Sequence, residues 1–183
     1  MTAVIILIII IVVVALIMIS MYNSLIRLRN QVKNAWSQID VQLKRRHDLI
    51  PNLIETVKGY MHHERDTLEN ITKARSQAVE AESVGEKAKA EGELTRALGK
   101  FNLVVENYPD LKANQNFIRL QDELAGTENR IAVERRRFND LVRIYNEKLQ
   151  VFPNVLLAGI FGFTKKPYFE ADQQAQSAPK VEF

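Results

Sequence analysis

The chain has 183 residues, with 25 Lys and Arg against 22 Asp and Glu and a formal charge of +3. It contains no Cys, which excludes a disulfide scaffold, a thiolate zinc site and a cysteine nucleophile. Seven Gly and five Pro are too few for an all-β chain built on many tight turns.

The charges are unevenly spread. Residues 1–26 carry none, and Ser20 is the only polar residue from Ala3 to Met21. As a helix this nineteen-residue run spans roughly 28 Å, close to the hydrocarbon thickness of a bilayer. Its Ile and Val are poor helix formers in water, but a bilayer forces backbone hydrogen bonds inside the segment. A cleaved secretory signal would need a basic leader, a shorter apolar stretch and a small-x-small site. Ile19-Ser20-Met21-Tyr22-Asn23 offers no such site, so residues 1–22 are expected to stay as a single-pass anchor. Arg27, Arg29 and Lys33 flank only its C-terminal end, which predicts an outside N-terminus and a body in the cytoplasm. Tyr22 stands where an interfacial aromatic belongs.

From 23 to 152 the apolar residues fall at helical spacing. The stripes run Leu25, Leu28, Val32, Trp36, Ile39, Leu43, then Ile50, Leu53, Val57, Met61, Leu68, Ile71, then Leu94, Leu98, Phe101, Val105. The last runs from Phe117 through Leu120, Leu124, Ile131, Phe138, Leu141, Tyr145 and Leu149 to Phe152. Each is one face of a helix with charges on the others. Asp48 can cap a helix with Pro51 in its first turn, Gly85 fits a helix end near Ser83, and Tyr108-Pro109-Asp110 reads as cap and restart. Helices are therefore expected near 22–47, 49–83, 86–107 and 110–151. The stripe holds heptad register from Leu43 to Ile50 to Val57, so a single kinked helix rivals the break at Asp48. We prefer the break, because one helix of about 60 residues would run ~90 Å with much of its stripe unpartnered. The fold class read here is all-α, an N-terminal transmembrane helix followed by an antiparallel four-helix-type bundle.

The bundle seam is expected at Trp36 and at the strict heptad Phe117, Leu124, Ile131, Phe138, Tyr145 and Phe152. Thr127 and Glu134 interrupt its companion seam, and Glu134 is expected to meet a basic residue of the first helix.

Residues 153–170 form an apolar C-terminal hook. Pro153 to Phe163 is too short to span a bilayer and too apolar for an ordinary loop. Phe161 and Phe163 could enter the membrane interface with Lys165 and Lys166 at the headgroups, the same level as Tyr22, Arg27 and Arg29. Two other uses stay open: closing the end of the bundle, or burial against a second copy. Residues 171–183 are polar and without period, and read as a disordered tail.

No catalytic pattern appears. His47, His62 and His63 form no Glu-x-x-His or His-Glu-x-x-His motif, so neither a di-iron nor a zinc site is expected. Gly159 and Gly162 lie in an apolar run and make no phosphate loop, and no serine sits in a nucleophile elbow. We expect no enzyme, no cofactor and no metal. Residues 23–51 carry six basic and two acidic side chains, an excess that anionic headgroups explain. Acids interleave the remaining basic residues, Arg135-Arg136-Arg137 included, and no nucleic-acid partner is expected.

Specific residues carry a resemblance. Tyr22-Asn23 to Asn30, Val32-Lys33-Asn34-Ala35-Trp36-Ser37-Gln38-Ile39-Asp40-Val41, and Leu43-Lys44-Arg45-Arg46-His47-Asp48-Leu49-Ile50-Pro51-Asn52-Leu53 are one part. Glu106-Asn107-Tyr108-Pro109-Asp110-Leu111, Glu128-Asn129-Arg130-Ile131-Ala132 and Phe152-Pro153 through Phe163 are another. Together they resemble the LemA family of bacterial membrane proteins. The resemblance implies an N-terminal anchor in the bacterial inner membrane, a cytoplasmic helical bundle and no established enzymatic activity. The expected function is binding: a scaffold or self-assembling membrane organiser, with the lipid bilayer and further copies of itself as partners. The alternative is an accessory module that docks one membrane protein, such as a protease or transporter.

Overall fold

A computed structural model describes residues 1–61 and 63–170. His62 and the stretch 171–183, read above as a disordered tail, lie outside the described residues. Among the described residues every regular element is helical. The helices are α1 (Thr2–Lys58), α2 (Arg65–Glu80), α3 (Val84–Val105), α4 (Pro109–Lys112), α5 (Gln115–Gln150) and α6 (Asn154–Ile160). The described residues divide into two compact units, one of residues 1–37 and 136–167, the other of 38–135 with 168–170.

In the first unit every residue from Met1 to Ser20 is exposed. From Leu25 the helix becomes two-faced: Leu25, Val32 and Ala35 are buried, and the residues between them are exposed or half-buried. α5 supplies Phe138, Val142, Tyr145 and Leu149 to the buried set, and α6 supplies Leu157 and Ala158. α6 ends at Gly162, whose φ of 67° lies in the left-handed region open to glycine. The Phe163 amide then bonds back to the Ala158 carbonyl at 2.9 Å, the long bond of a Schellman ending.

The second unit has one apolar core. Ile50, Leu53 and Val57 of α1 share it with Ile71, Ala74 and Ala78 of α2, Leu94, Phe101 and Val105 of α3, Leu111 of α4 and Phe117 of α5. Phe101 and Phe117 meet edge-on at 6.3 Å. Tyr108 precedes α4, whose first residue is Pro109, where a missing N–H costs nothing.

The structure corrects three helix boundaries. First, α1 does not break at Asp48; it runs to Lys58 with Pro51 inside. The Leu43–Ile50–Val57 register, which argued for continuity, wins because all three side chains are buried. Proline at 51 deprives the His47 carbonyl of its helical donor. The Arg75 Nε on α2 donates to that carbonyl at 2.7 Å instead. The turn comes at Gly59-Tyr60, where the amides of Tyr60 and Met61 both reach the Val57 carbonyl. Second, Gly85 does not end a helix. Ser83 begins α3 with a reciprocal capping box: its Oγ accepts from the Glu86 amide at 3.2 Å, and Glu86 Oε2 accepts from the Ser83 amide at 3.0 Å. Third, the expected helix 110–151 is interrupted. Asn114 Oδ1 accepts from the amides of Asn116 at 2.9 Å and Phe117 at 3.2 Å, which starts α5 afresh.

The Pro51 repair is testable. Arg75→Met should cost about 1.5–3 kcal/mol, the worth of a charged hydrogen bond to a carbonyl with no other donor. In a Pro51→Ala background the restored amide can serve the His47 carbonyl, and the same substitution should cost less than half as much. Equal losses in both backgrounds, by urea unfolding in detergent, would refute the exchange.

Candidate functional site

The first unit assembles a site where the apolar run ends. Tyr22 of α1 is the hinge of it: its ring lies 4.9 Å from that of Phe161 and 5.7 Å from that of Phe163. Two turns further along α1, Arg29 places its guanidinium carbon 5.5 Å from the centre of the Phe163 ring, a cation–π approach. Tilted and edge-on aromatic pairs of this kind are each worth about 0.5–1.5 kcal/mol beyond their burial.

Polar contacts fix the same segment. Asn146, buried on α5, donates its Nδ2 to the Lys166 carbonyl and accepts from the Lys166 amide, both at 2.8 Å. One side-chain amide thus satisfies both backbone groups of one residue, as a neighbouring strand would. Lys148 Nζ donates to Ser24 Oγ at 2.7 Å. Burial pushes the phenol of the neighbouring Tyr145 above its ordinary pKa, against the opposing pull of the Arg29 charge.

Of the residues expected at a membrane interface, Tyr22, Arg29, Phe161 and Phe163 come together directly. Lys166 joins through its backbone, and Arg27 and Lys165 are exposed beside them in sequence. Of the seam residues, Trp36 packs on Phe138 at 5.4 Å, and Tyr145, Ile131 and Phe117 are buried. Leu124 is half-buried. Phe152 departs from the seam: it is 79% exposed, because α5 stops at Gln150 ahead of Pro153 and the heptad has no helix left to carry it.

The second unit holds a buried charge cluster that sequence reasoning missed. Arg46 is 2% exposed. Its two terminal nitrogens donate to the carboxylates of Glu91 and Glu128, and one also reaches Thr95 Oγ1 at 3.0 Å. The other carboxylate oxygen of Glu91 faces His47 Nε2 at 2.7 Å. Burial pushes the Glu91 carboxyl up in pKa, but the His47 hydrogen bond and the Arg46 charge outweigh it, and the group sits below its ordinary 4.5. Thr127, the other polar residue of the companion seam, is buried and donates to the Glu123 carbonyl one turn back. The carboxylates that accept from Arg46 of α1 are those of Glu91 and Glu128, and Glu134 is half-buried.

The signal for this cluster was present. Arg46 occupies a stripe position between Leu43 and Ile50, and Glu91 sits three residues from both Ala88 and Leu94. Charges on a core face mark partners that must be found in space. A groove of about 460 Å³ lies beside the cluster, lined by Arg46, Thr95 and Glu128 with Leu53, Leu98 and Phe101 among its apolar residues. The cluster pairs its charges with one another, and partners that must meet in space fix the register of the helices that carry them.

Residues 35–183 match the LemA family. The chain belongs to that family. A protein named LemA from Metamycoplasma hominis is 28% identical over 132 residues, covering 71% of this chain and 60% of the relative. Magnetosome protein MamQ 2 of Paramagnetospirillum magneticum is 24% identical over 175 residues, covering 81% of this chain and 64% of its own length. MamQ of Magnetospirillum gryphiswaldense is 24% identical over 174 residues, with the same coverage. The chain therefore spans a little over three-fifths of the length of these curated relatives. The LemA match takes in both the α1 segment bearing Arg46 and the hook that carries Phe161 and Phe163.

Two measurements check these sites. Asn146→Leu leaves both Lys166 backbone groups without partners, costing about 1–3 kcal/mol. Limited proteolysis should then cut within 153–170 faster, with cutting in α2 and α3 unchanged. Because the folded Glu91 pKa is depressed, its contribution to stability is present above the unfolded value of 4.5 and fades as pH falls through the folded value. Glu91→Gln should destabilise at pH 7 by about 3 kcal/mol and lessen the acid-side loss of stability; an unchanged acid limb rejects the ionised pair.

Proposed function

We propose that this LemA-family protein is a non-enzymatic scaffold or self-assembling organiser anchored in the bacterial cytoplasmic membrane. Residues 1–22 form the anchor with the N-terminus outside. The body, an antiparallel four-helix-type bundle, faces the cytoplasm and works by binding.

One observation carries the reading. α1 is apolar and exposed on every face from Met1 to Ile19, then buries one face of itself from Leu25. A helix apolar all round and unburied by protein needs hydrocarbon as its solvent. The basic residues Arg27, Arg29 and Lys33 follow it directly, and Lys and Arg accumulate on the cytoplasmic flank. The magnetosome relatives carry the name of a cellular structure rather than of a reaction, which supports a binding role. The groove beside Arg46 favours a second reading, an accessory module that receives a segment of one membrane protein. Native mass measurement in detergent separates the two: a defined homo-oligomer supports the organiser, a monomer the docking module.

Topology is cheap to test because the chain has no Cys. In intact cells an impermeant maleimide should label Thr2→Cys and leave Glu82→Cys unlabelled until the membrane is opened. The reverse pattern overturns the orientation, and extraction of the full chain into buffer without detergent overturns the anchor.

A further inference from the structure

We infer that the C-terminal hook is a second membrane contact, a short helix that lies in the lipid interface beside the anchor and seats the first unit on the bilayer. The inference rests on the anchoring proposed above and adds a site to it.

The hook is amphipathic in the wrong sense for water. Asn154, Leu157 and Ala158 of α6, at helical spacing, face the protein and are buried. Val155, Leu156 and Ile160 face outward, with Val151 and Phe152 before them and Phe161 after, all exposed. The one polar side chain between Val151 and Phe163, that of Asn154, is among the buried ones. A helix on a soluble surface shows charges at these outward positions. Here the first charge after the patch is Lys165.

What covers the patch follows from where it is held. Phe161 and Phe163 rest on Tyr22, the residue at which the exposed apolar face of α1 gives way to a half-buried one. The Asn146 clamp on Lys166 and the Arg29 contact with Phe163 tie down the segment that follows. The outward face of α6 is thereby continuous with the lipid-facing surface of the span. Aromatic rings and the cations Arg27, Arg29, Lys165 and Lys166 come next along both strands of chain. Apolar, then aromatic, then basic is the order in which a bilayer interface is crossed. A second copy of the chain would not need that order.

The test uses the full chain in vesicles of phosphatidylcholine and phosphatidylglycerol. An environment-sensitive fluorophore is attached at single cysteines placed by Leu156→Cys and Ile160→Cys in the hook, Met18→Cys in the anchor and Glu82→Cys in the body, with helix content checked for each. Replacing the lipids by brominated ones should cut emission by about twofold or more at 18, 156 and 160 and leave 82 unchanged. Quenching at 18 with 156 and 160 behaving like 82 overturns the hook and leaves the anchor standing. No quenching at 18 overturns the anchor and the hook with it. Blue-shifted but unquenched emission at 156, with disulfide pairing between two copies of the unlabelled Leu156→Cys chain, assigns the patch to self-association and also overturns the proposal.

Discussion

An apolar run that, among the described residues, stays exposed on every face as far as Ser20 is the constraint from which the rest follows. Such a run exposes a hydrocarbon surface that water penalises by about 25 cal/mol for each Å². Lipid would remove that penalty without changing the fold, which is the basis of the anchoring proposed above. In lipid, Tyr22 would be held at the boundary, and whatever touches Tyr22 would be held there too. Phe161 and Phe163 come from the far end of the described chain, yet they share this level because aromatic and cation–π contacts bring them to the start of the body. The amide of Asn146 adds directionality that apolar contact lacks, since it bonds one particular backbone position.

The second unit answers a different demand. Its helices bury a common apolar core, but hydrophobic stripes alone permit neighbouring registers and pairings. Arg46 narrows the choice. A buried guanidinium without its carboxylates is far costlier than a slipped Leu, so Glu91 and Glu128 have to arrive opposite it. His47 occupies the remaining oxygen of Glu91 and leaves that carboxylate anchored at both ends. The cluster contributes specificity more than net stability, because desolvating Arg46 and Glu91 offsets much of what their attraction returns. The carbonyl left open by Pro51 works in the same way: its donor comes from another helix, so the long α1 and α2 are matched at a particular turn.

The LemA match runs from residue 35 through the rest of the body and the hook, and the structure is helical in both. The buried Arg46, His47 and Glu91 side chains of the second unit pair with one another. The outward apolar groups of the first unit cluster where the chain leaves its apolar run.

Much of this was legible in the residues themselves. The apolar run, the helical periodicity of the body, the caps at Tyr108-Pro109 and the unusual apolarity of 153–163 are local properties, and local properties are written in composition and spacing. The Ser-x-x-Glu box at 83–86 is equally local. Pro51 was different in kind. Proline in a helix is a deficit of one donor, and whether the helix breaks depends on whether another donor is available in space; Arg75 lies 28 residues on. The same holds for Arg46 and Glu91, each visible as a charge on an apolar face but each without meaning until its partner, 45 residues away, is known. So the sequence by itself determined an all-helical chain with an apolar leader and an apolar hook, since periodicity and hydrophobicity act over a few neighbouring residues. Only the tertiary structure decided which helices stay whole, which charges are buried and which face of the hook points outward, because those outcomes depend on donors and surfaces contributed by distant parts of the chain.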